Sequence, residues 1–209
     1  MSLKWTVLVL LVAGTIMAGC SRAPVEAVHE IVLYVGDAPQ GSGSGVMIAP
    51  RLMITAAHVA EEGYDIMVGP GKVKAKVLKS DPEKDLALLE LDMDCPCASV
   101  GESPEPGREV VAVGFPRYDI FGIAVVTSGE SQGIGKNMSD GKLIYTAPGA
   151  SGSSGGGVFV WTWNGGWRLV GIVVGQGGES TNTPFVQTRL AHLMIAVGAD
   201  EIKRFLGAA

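Results

Sequence analysis

Residues 149–159 read GASGSSGGGVF, a run of three serines among five glycines that leads directly into a hydrophobic segment. Glycine and serine in this proportion are typical of a flexible linker. The same composition suits a tight loop in which backbone N–H groups surround a reactive serine. Predicted strands flank the run at residues 142–146 and 158–163. A linker at this place would split one folded unit, so the pattern favours a structured loop.

Short apolar or alternating segments recur along the rest of the chain and predict an all-β fold. In residues 72–79, lysines alternate with apolar residues, which is the period-two pattern of a half-buried strand. Many short strands at even spacing are typical of β-barrels or β-sandwiches. The predicted strands are 30–35, 45–49, 52–55, 65–68, 72–79, 86–91, 109–113, 122–127, 142–146, 158–163, 167–174 and 184–188.

The strands fall into two groups, which predicts two lobes within one domain at residues 29–209. Residues 94–107, rich in Cys, Pro, Glu and Gly, mark the boundary between the groups. The first lobe is expected at about 29–97 and the second at about 108–189. Apolar residues near helical spacing predict one C-terminal helix at 190–207.

Composition restricts the possible partners. The 209 residues carry a net charge of −5 and no basic run, which argues against nucleic acid as a partner. A hydrophobic fraction of 47% with 18% charged residues suits a folded protein with a substantial core.

The N-terminus has the features of an export signal. Lys4 precedes residues 5–17, which form an uncharged and mostly apolar stretch of 13 residues. Such a stretch is too short for a comfortable membrane span and has the length of a secretory signal core. We therefore expect secretion across the inner membrane.

The end of this signal, IMAGC at residues 16–20, resembles a bacterial lipoprotein cleavage site. The resemblance implies removal of residues 1–19, a lipid on Cys20 and a short tether at 20–28. Ser21, rather than aspartate, follows the cysteine, which by analogy implies an outer-membrane anchor facing the periplasm. The alternative is an ordinary signal peptide that is cut nearby.

Two further cysteines, Cys95 and Cys97, stand in the sequence CPC. One intervening residue makes a bridge between them strained. A metal site would need further ligands, and the sequence offers no histidine or additional cysteine nearby. We interpret them as a surface-loop pair, either free or bridged, and predict no metal.

Three segments contain residues suited to nucleophilic catalysis. His58 follows an apolar strand among small residues, which would allow a general base to approach its nucleophile closely. Asp85 begins a nearly all-apolar strand, where a half-buried carboxylate could accept a hydrogen bond from an imidazole. The serines of residues 149–159 would supply the nucleophile. Each segment alone also fits a structural role, but the order His, Asp, Ser is an arrangement for acyl transfer.

These segments resemble a known family. TAAHV, DLALLEL and GSSGGGV resemble the three active-site blocks of the chymotrypsin-like serine proteases. GSGSGVMIAPRLMITAAHV is similar to the glycine-rich strand pair in the bacterial Deg/HtrA-type and glutamyl-endopeptidase-type branches. EVVAVGFP, VVTSGE, LVGIVVG and TPFVQTRL resemble strands of the second barrel there. The likeness extends from about residue 30 to the end.

The resemblance implies two packed six-stranded antiparallel β-barrels with a C-terminal helix, and a serine endopeptidase that acts through an acyl-enzyme. The family pattern Gly-X-Ser-Gly-Gly fits residues 152–156, so Ser154 is the implied nucleophile. His58 would be the general base and acid, and Asp85 would hold the imidazole. The backbone N–H groups of Gly152 and Ser154 would form the oxyanion hole. The implied partner is a protein or peptide substrate, with no cofactor.

The same resemblance makes predictions about specificity. Pro148 stands at the floor of the primary pocket, where trypsin-like enzymes have an acid, so cleavage after Lys or Arg is not expected. Val174, Gly175 and Gln176 would line the pocket, and Phe185 would make it shallow. We therefore expect a small or medium apolar residue at the cleavage position.

A further departure concerns activation. Ser153 stands where digestive relatives have an aspartate that pairs with a newly cut N-terminus, so activation by that ion pair is not expected. Two alternatives to an active protease remain open at this point. One is a binding lipoprotein on an inactive protease fold, and the other is an esterase that uses the same triad.

Overall fold

The computed structural model describes residues 24–94, 96–116, 121–135, 141–164, 166–176 and 192–207. The signal segment, Cys20, Phe185 and the strand predicted at 184–188 lie outside the described residues. Cys97 takes part in a disulfide bond, and Cys95 lies outside the described residues.

The first six strands form a closed antiparallel barrel in the order β1-β2-β3-β6-β5-β4. Burial alternates along residues 65–68 and along 87–91, which places one face of these strands in the barrel interior. Two short 3₁₀ turns, Val25–Ala27 and Ala57–Val59, accompany this barrel. Its strands are β1 (Val28–Val35), β2 (Ala38–Ala49), β3 (Leu52–Thr55), β4 (Asp65–Val68), β5 (Val73–Asp81) and β6 (Leu86–Leu91).

The next six strands form a second closed antiparallel barrel in the order β10-β11-β12-β9-β8-β7. Read from β7, this order repeats that of the first barrel. The prediction of two six-stranded antiparallel barrels is confirmed. The strands are β7 (Glu109–Gly114), β8 (Val125–Ile134), β9 (Lys142–Tyr145), β10 (Gly157–Thr162), β11 (Gly166–Gln176) and β12 (Met194–Gly198), and helix α1 (Ala199–Leu206) follows.

The helix predicted at 190–207 is wrong in its first part. Met194–Gly198 is strand β12, which pairs with β9 and β11 and closes the second barrel. The helix begins only at Ala199 and ends at Leu206, and it is capped by Gly207, whose φ of +79° is readily adopted by glycine. A five-residue apolar run fits the periodicity of a helix as well as that of a strand. The hydrogen-bonded pairing with two neighbouring strands makes residues 194–198 a strand. The second barrel therefore extends to Gly198, beyond the expected limit at residue 189.

Each barrel has its own apolar core, and a third buried cluster joins them. Ile202 and Phe205 of α1 pack into this third cluster, so the helix covers the junction of the barrels. Within the described part of the chain, no helix is long and apolar enough to cross a membrane. Further members of the joining cluster are Val28, Val46, Ile54, Leu86, Val113, Phe159, Leu169, Ile172 and Val197.

Candidate active site

His58 and Asp85 meet at one end of the first barrel. His58 lies in the 3₁₀ turn that follows β3, and Asp85 immediately precedes β6. Because β3 and β6 are paired neighbours, these two positions fall at the same barrel end. The ring Nδ1 of His58 is 2.8 Å from Oδ2 and 3.0 Å from Oδ1 of Asp85. The backbone N–H of His58 also donates to Oδ1, at 3.0 Å, so one carboxylate holds both the ring and its main chain.

The backbone at Asp85 is in the left-handed region, with φ of +61°. Among residues with a side chain, Asp and Asn tolerate this conformation best. The turn therefore directs the carboxylate towards His58 at modest conformational cost.

The hydrogen bond between His58 and Asp85 shifts the pKa of both side chains. The hydrogen bond with Asp85 raises the pKa of His58 above its ordinary 6.5, against the effect of partial burial, and the charges of Asp85 and Glu61 add to the rise. Burial by itself would raise the pKa of Asp85. Hydrogen bonds from the ring and main chain of His58 outweigh that burial, and with the charges of His58 and Lys142 they lower the pKa of Asp85. A neutral or protonated imidazole beside an ionised carboxylate is thus the favoured state.

The loop around Ser154 forms a tight turn. Ser153 N–H donates to the carbonyl of Ala150 at 2.9 Å, and Gly152, at the third position of this turn, has φ of +94°. Positive φ at that position is the signature of a type II turn and favours glycine. Among the residues that the structure describes, no acceptor pairs with the N–H of Gly152 or of Ser154. Two N–H donors on the same loop are therefore available to a bound anion.

Gly155, the residue after Ser154, has to be glycine. Its φ is +81°, and a Cβ added there would lie 2.0 Å from the carbonyl oxygen of Ser44 and 2.2 Å from Oγ1 of Thr55. Backbone therefore packs against backbone at this point, and the serine loop is pressed against β2 of the first barrel.

His58 and Ser154 line one cavity of about 410 Å³ between the barrels. The first barrel contributes Leu33, Gly41, Ser42 and Val59 to its wall, and the second contributes residues 149–153 and 173–176. The structure thus brings together on one cavity a histidine held by a carboxylate, a serine, and a loop with two backbone N–H groups that donate to no described residue.

Comparison with known proteins places this arrangement in a family. The model of the trypsin-like peptidase domain matches residues 43–172, which span β2 to β11 and include His58, Asp85 and Ser154. The chain belongs to the trypsin-like peptidase family. The prediction of a chymotrypsin-like serine protease, and hence of a hydrolase, is confirmed at this level.

Individual relatives agree with this family. A probable periplasmic serine endoprotease, DegP-like, from Pseudomonas fluorescens is 33% identical over 152 residues. That match covers 67% of this chain but 29% of the relative, so the chain spans less than a third of the relative's length.

Solved structures share the fold. A serine endoprotease from Yersinia pestis gives a TM-score of 0.70 at 24% identity, covering 88% of this chain and 62% of that one. The active form of the Rv3671c protease from M. tuberculosis gives a TM-score of 0.69 at 21% identity, and the match covers 88% of this chain and 81% of that one.

The predicted pocket residues of this trypsin-like peptidase do not all lie together. Val174, Gly175 and Gln176 line the cavity beside Ser154. Pro148 does not line it. It borders a neighbouring apolar cavity of about 400 Å³, together with Thr127 and Tyr145, and the segment that begins at Gly149 lines both cavities.

Met194 is a cavity residue that sequence reasoning missed. It is buried, lines the cavity beside Ser154, and lies so close to Gly149 that a Cβ there would be 2.4 Å from its Cε. The sequence analysis placed Met194 in a helix, so its position next to the serine loop could not be inferred. Its strand, β12, pairs with Gly175 and Gln176 of β11, and that pairing brings it to the cavity.

The turn that carries Asp85 is braced by the second barrel and by α1. Lys84 Nζ contacts Oε2 of Glu201 at 2.8 Å, and the buried Glu201 also pairs with Arg204. Lys142 Nζ donates to the carbonyl oxygen of Lys84 at 2.8 Å. Both links reach the residue next to Asp85 from outside its own barrel, so the docking of the barrels also supports the position of the carboxylate.

Proposed function

We propose that this trypsin-like peptidase is an active serine endopeptidase, with Ser154 as nucleophile, His58 as general base and acid, and Asp85 as the group that orients His58. The observation that carries the proposal is the Asp85–His58 hydrogen bond beside a cavity that Ser154 also lines. The available N–H groups of Gly152 and Ser154 support it further.

The proposed reaction has two stages. Ser154 Oγ attacks the peptide carbonyl carbon while His58 Nε2 takes the hydroxyl proton, and Asp85 accepts the hydrogen bond from Nδ1–H of the resulting imidazolium. The N–H groups of Gly152 and Ser154 stabilise the oxyanion. His58 then protonates the leaving amine, and an acyl-enzyme remains on Ser154. In the second stage, His58 takes a proton from water, which attacks the ester. His58 then returns the proton to Ser154 Oγ as the ester bond breaks, and the acid is released.

Fluorophosphonate labelling of the full-length protein, with the modified residue located by mass spectrometry, tests this proposal. The probe should form a P–O bond to Ser154 Oγ with loss of fluoride, and the hydroxyl proton should pass to His58. Ser151→Ala is the matched control, because Ser151 lies on the same loop but is exposed. We expect labelling to survive that change. A folded wild-type protein that does not label, or that labels on Ser151, would rule the assignment out.

The cavity wall supports a preference for small or medium apolar residues at the cleavage position. The side chain of Met194 packs against Gly149, which limits the space beside Ser154. Among the described residues that line this cavity, none is acidic, so a cationic side chain finds no partner there.

Met194→Ala should enlarge the pocket and shift the preference towards larger apolar residues. Hydrophobic pockets discriminate by roughly 10- to 200-fold per methylene, so we expect the ratio of kcat/KM for Leu over Ala substrates to rise at least about tenfold. The measurement is kcat/KM on a matched peptide series. Met67→Ala serves as control, because Met67 lies on β4 of the first barrel and does not line the cavity. An unchanged ratio would show that Met194 does not limit the pocket.

The pH dependence of kcat/KM should follow the raised pKa of His58. Catalysis needs the neutral imidazole, and a raised pKa means that His58 keeps its proton to a higher pH. The acidic limb of the profile should therefore have its midpoint above the ordinary histidine value of 6.5. Glu61→Gln should move the limb downwards, because the charge of Glu61 contributes to the rise. A wild-type midpoint below the ordinary value would contradict the Asp85–His58 pairing in solution.

We further propose that the protein acts in the periplasm, held to the outer membrane by a lipid on Cys20. The lipoprotein-like sequence at residues 16–20 supports the anchor, and the DegP-like relative is itself described as periplasmic. The intact mass of the membrane-extracted protein tests it. A mature chain that begins at a residue other than Cys20, or that lacks acyl mass, would reject the anchor.

A further inference from the structure

Ser44 is a fully buried polar residue in the middle of β2, between Gly43 and Gly45. Its hydroxyl accepts a hydrogen bond from the N–H of Phe115 at 2.8 Å and donates one to the carbonyl oxygen of Gly152 at 2.8 Å. Phe115 directly follows β7, and Gly152 lies in the serine loop. One hydroxyl of the first barrel thus binds two separate segments of the second.

The main chain of Ser44 adds two more hydrogen bonds at the same place. Its N–H donates to the carbonyl oxygen of Ser154 at 2.8 Å. Its own carbonyl oxygen accepts from Oγ1 of Thr55 at 2.6 Å. Thr55 ends β3 and is also fully buried, so this contact holds Ser44 against the strand that leads to His58.

These contacts fix two peptide planes of the serine loop, the one that follows Gly152 and the one that follows Ser154. In the plane between residues 152 and 153, the carbonyl binds the Ser44 hydroxyl and the N–H of Ser153 binds Ala150. In the plane between residues 154 and 155, the carbonyl binds the N–H of Ser44, and the N–H of Gly155 binds the carbonyl of Val173 at 2.7 Å. Both planes are held at both ends, and each time one of the two partners is Ser44.

Gly152 makes this external support necessary. Glycine has the widest range of backbone conformations, so the sequence of the turn alone does not hold Gly152 at its φ of +94°. Rotation of the peptide planes around Gly152 would redirect its N–H away from the cavity. The hydroxyl of Ser44 opposes that rotation from the other barrel.

We propose that Ser44 is a positioning residue that keeps the N–H groups of Gly152 and Ser154 directed at the reacting carbonyl. The inference rests on the proposed function, and it gives one hydroxyl of the opposite barrel a part in holding the oxyanion site, beside the backbone hydrogen bonds of the loop. Ser44 itself does not line the cavity, so it would act through the loop and not by contact with a bound substrate.

Ser44→Ala in the full-length protein tests the proposal. The variant keeps the backbone N–H of residue 44 and loses only the hydroxyl. The peptide plane between residues 152 and 153 then keeps its Ser153–Ala150 hydrogen bond but loses its contact with the opposite barrel. We expect kcat to fall about 10- to 100-fold, since displacement of a catalytic donor by about 1 Å can cost that much, with KM within about twofold of wild type. The rate of fluorophosphonate labelling of Ser154 should fall in parallel. Ser44→Cys, nearly isosteric but a weaker hydrogen-bonding group, should lie between the two.

Ser131→Ala is a closely matched control. Ser131 is equally buried, and its hydroxyl also accepts from a backbone N–H, that of Gly133 at 3.0 Å, and donates to a carbonyl, that of Pro104 at 3.2 Å. It lies on β8 and does not line the cavity. Ser131→Ala should lower Tm about as much as Ser44→Ala does, while leaving kcat unchanged.

The outcomes separate this inference from the proposed function. If wild type labels on Ser154 and Ser44→Ala keeps its kcat, the positioning role is wrong and the proposed function stands. If kcat falls equally in both alanine variants, the effect is one of general stability and the role is also wrong. If wild type neither labels nor cleaves, both proposals fail. Should Ser44→Ala not fold, a Ser44→Cys variant with wild-type kcat would overturn the positioning role.

Discussion

Ser154→Ala is expected to lower kcat by about 10⁴- to 10⁶-fold while leaving the fold intact. The change removes only the proposed nucleophile, because the main-chain contacts of this residue do not need its side chain. The Ser154 carbonyl still accepts from the N–H of Ser44, and the backbone N–H of residue 154 is retained. The residual rate would come from the remaining oxyanion donors and substrate binding.

The measurement compares kcat for a peptide ester and a peptide amide, together with Tm. Ser153→Ala is an informative second control, because the Ser153 hydroxyl accepts from Ala150 N–H at 3.2 Å within the same loop. We expect a modest loss of activity there, far smaller than for Ser154→Ala. If the two variants lost equal activity, Ser154 would not be the unique nucleophile.

Asp85→Asn is expected to lower kcat by about 10⁴-fold. The geometry gives the reason. The backbone N–H of His58 needs an acceptor at the position of Oδ1, so the amide oxygen of asparagine occupies that position. The amide NH₂ then faces ring Nδ1, which has to accept. The ring proton moves to Nε2, and the imidazole can no longer take the proton of Ser154.

The same variant should fold normally, because asparagine tolerates the positive φ at residue 85 as aspartate does. Tm and the kcat–pH profile provide the measurement. Loss of the carboxylate should also remove the main cause of the raised pKa of His58. An Asp85→Asn variant that keeps more than about a tenth of wild-type kcat would show that the carboxylate does not set the tautomer.

The features that could be predicted from the sequence are those that depend on local residue patterns. Short apolar segments and one alternating segment identified the strands of the first barrel, with β3, β4 and β6 matching to the residue. His58 and Asp85 could be paired from the order of their blocks, and the structure joins them by a hydrogen bond. The roles of His58, Asp85 and Ser154 stay predictions until the variants are measured.

The sequence could not predict contacts that depend on how the two barrels dock. Residues 194–198 carry apolar side chains that suit helix or strand, and only the pairing with β9 and β11 selects the strand. Pro148 was assigned to the substrate pocket from its distance along the chain, but it borders the neighbouring cavity instead. The contacts of Ser44 could not be predicted from its place in a glycine-rich strand, because the partners of its hydroxyl are 71 and 108 residues away along the chain.

The contact between Lys84 and Glu201 has a consequence for when the enzyme can first act. Helix α1 follows the twelve described strands, so Glu201 is made after every strand of both barrels. Until it arrives, the turn that carries Asp85 lacks its ionic partner, and while β12 is still being made the second barrel is open. A growing chain therefore carries an incomplete catalytic centre. Proteolysis by a given copy would therefore begin only after Glu201 has been made and α1 has packed against the barrels.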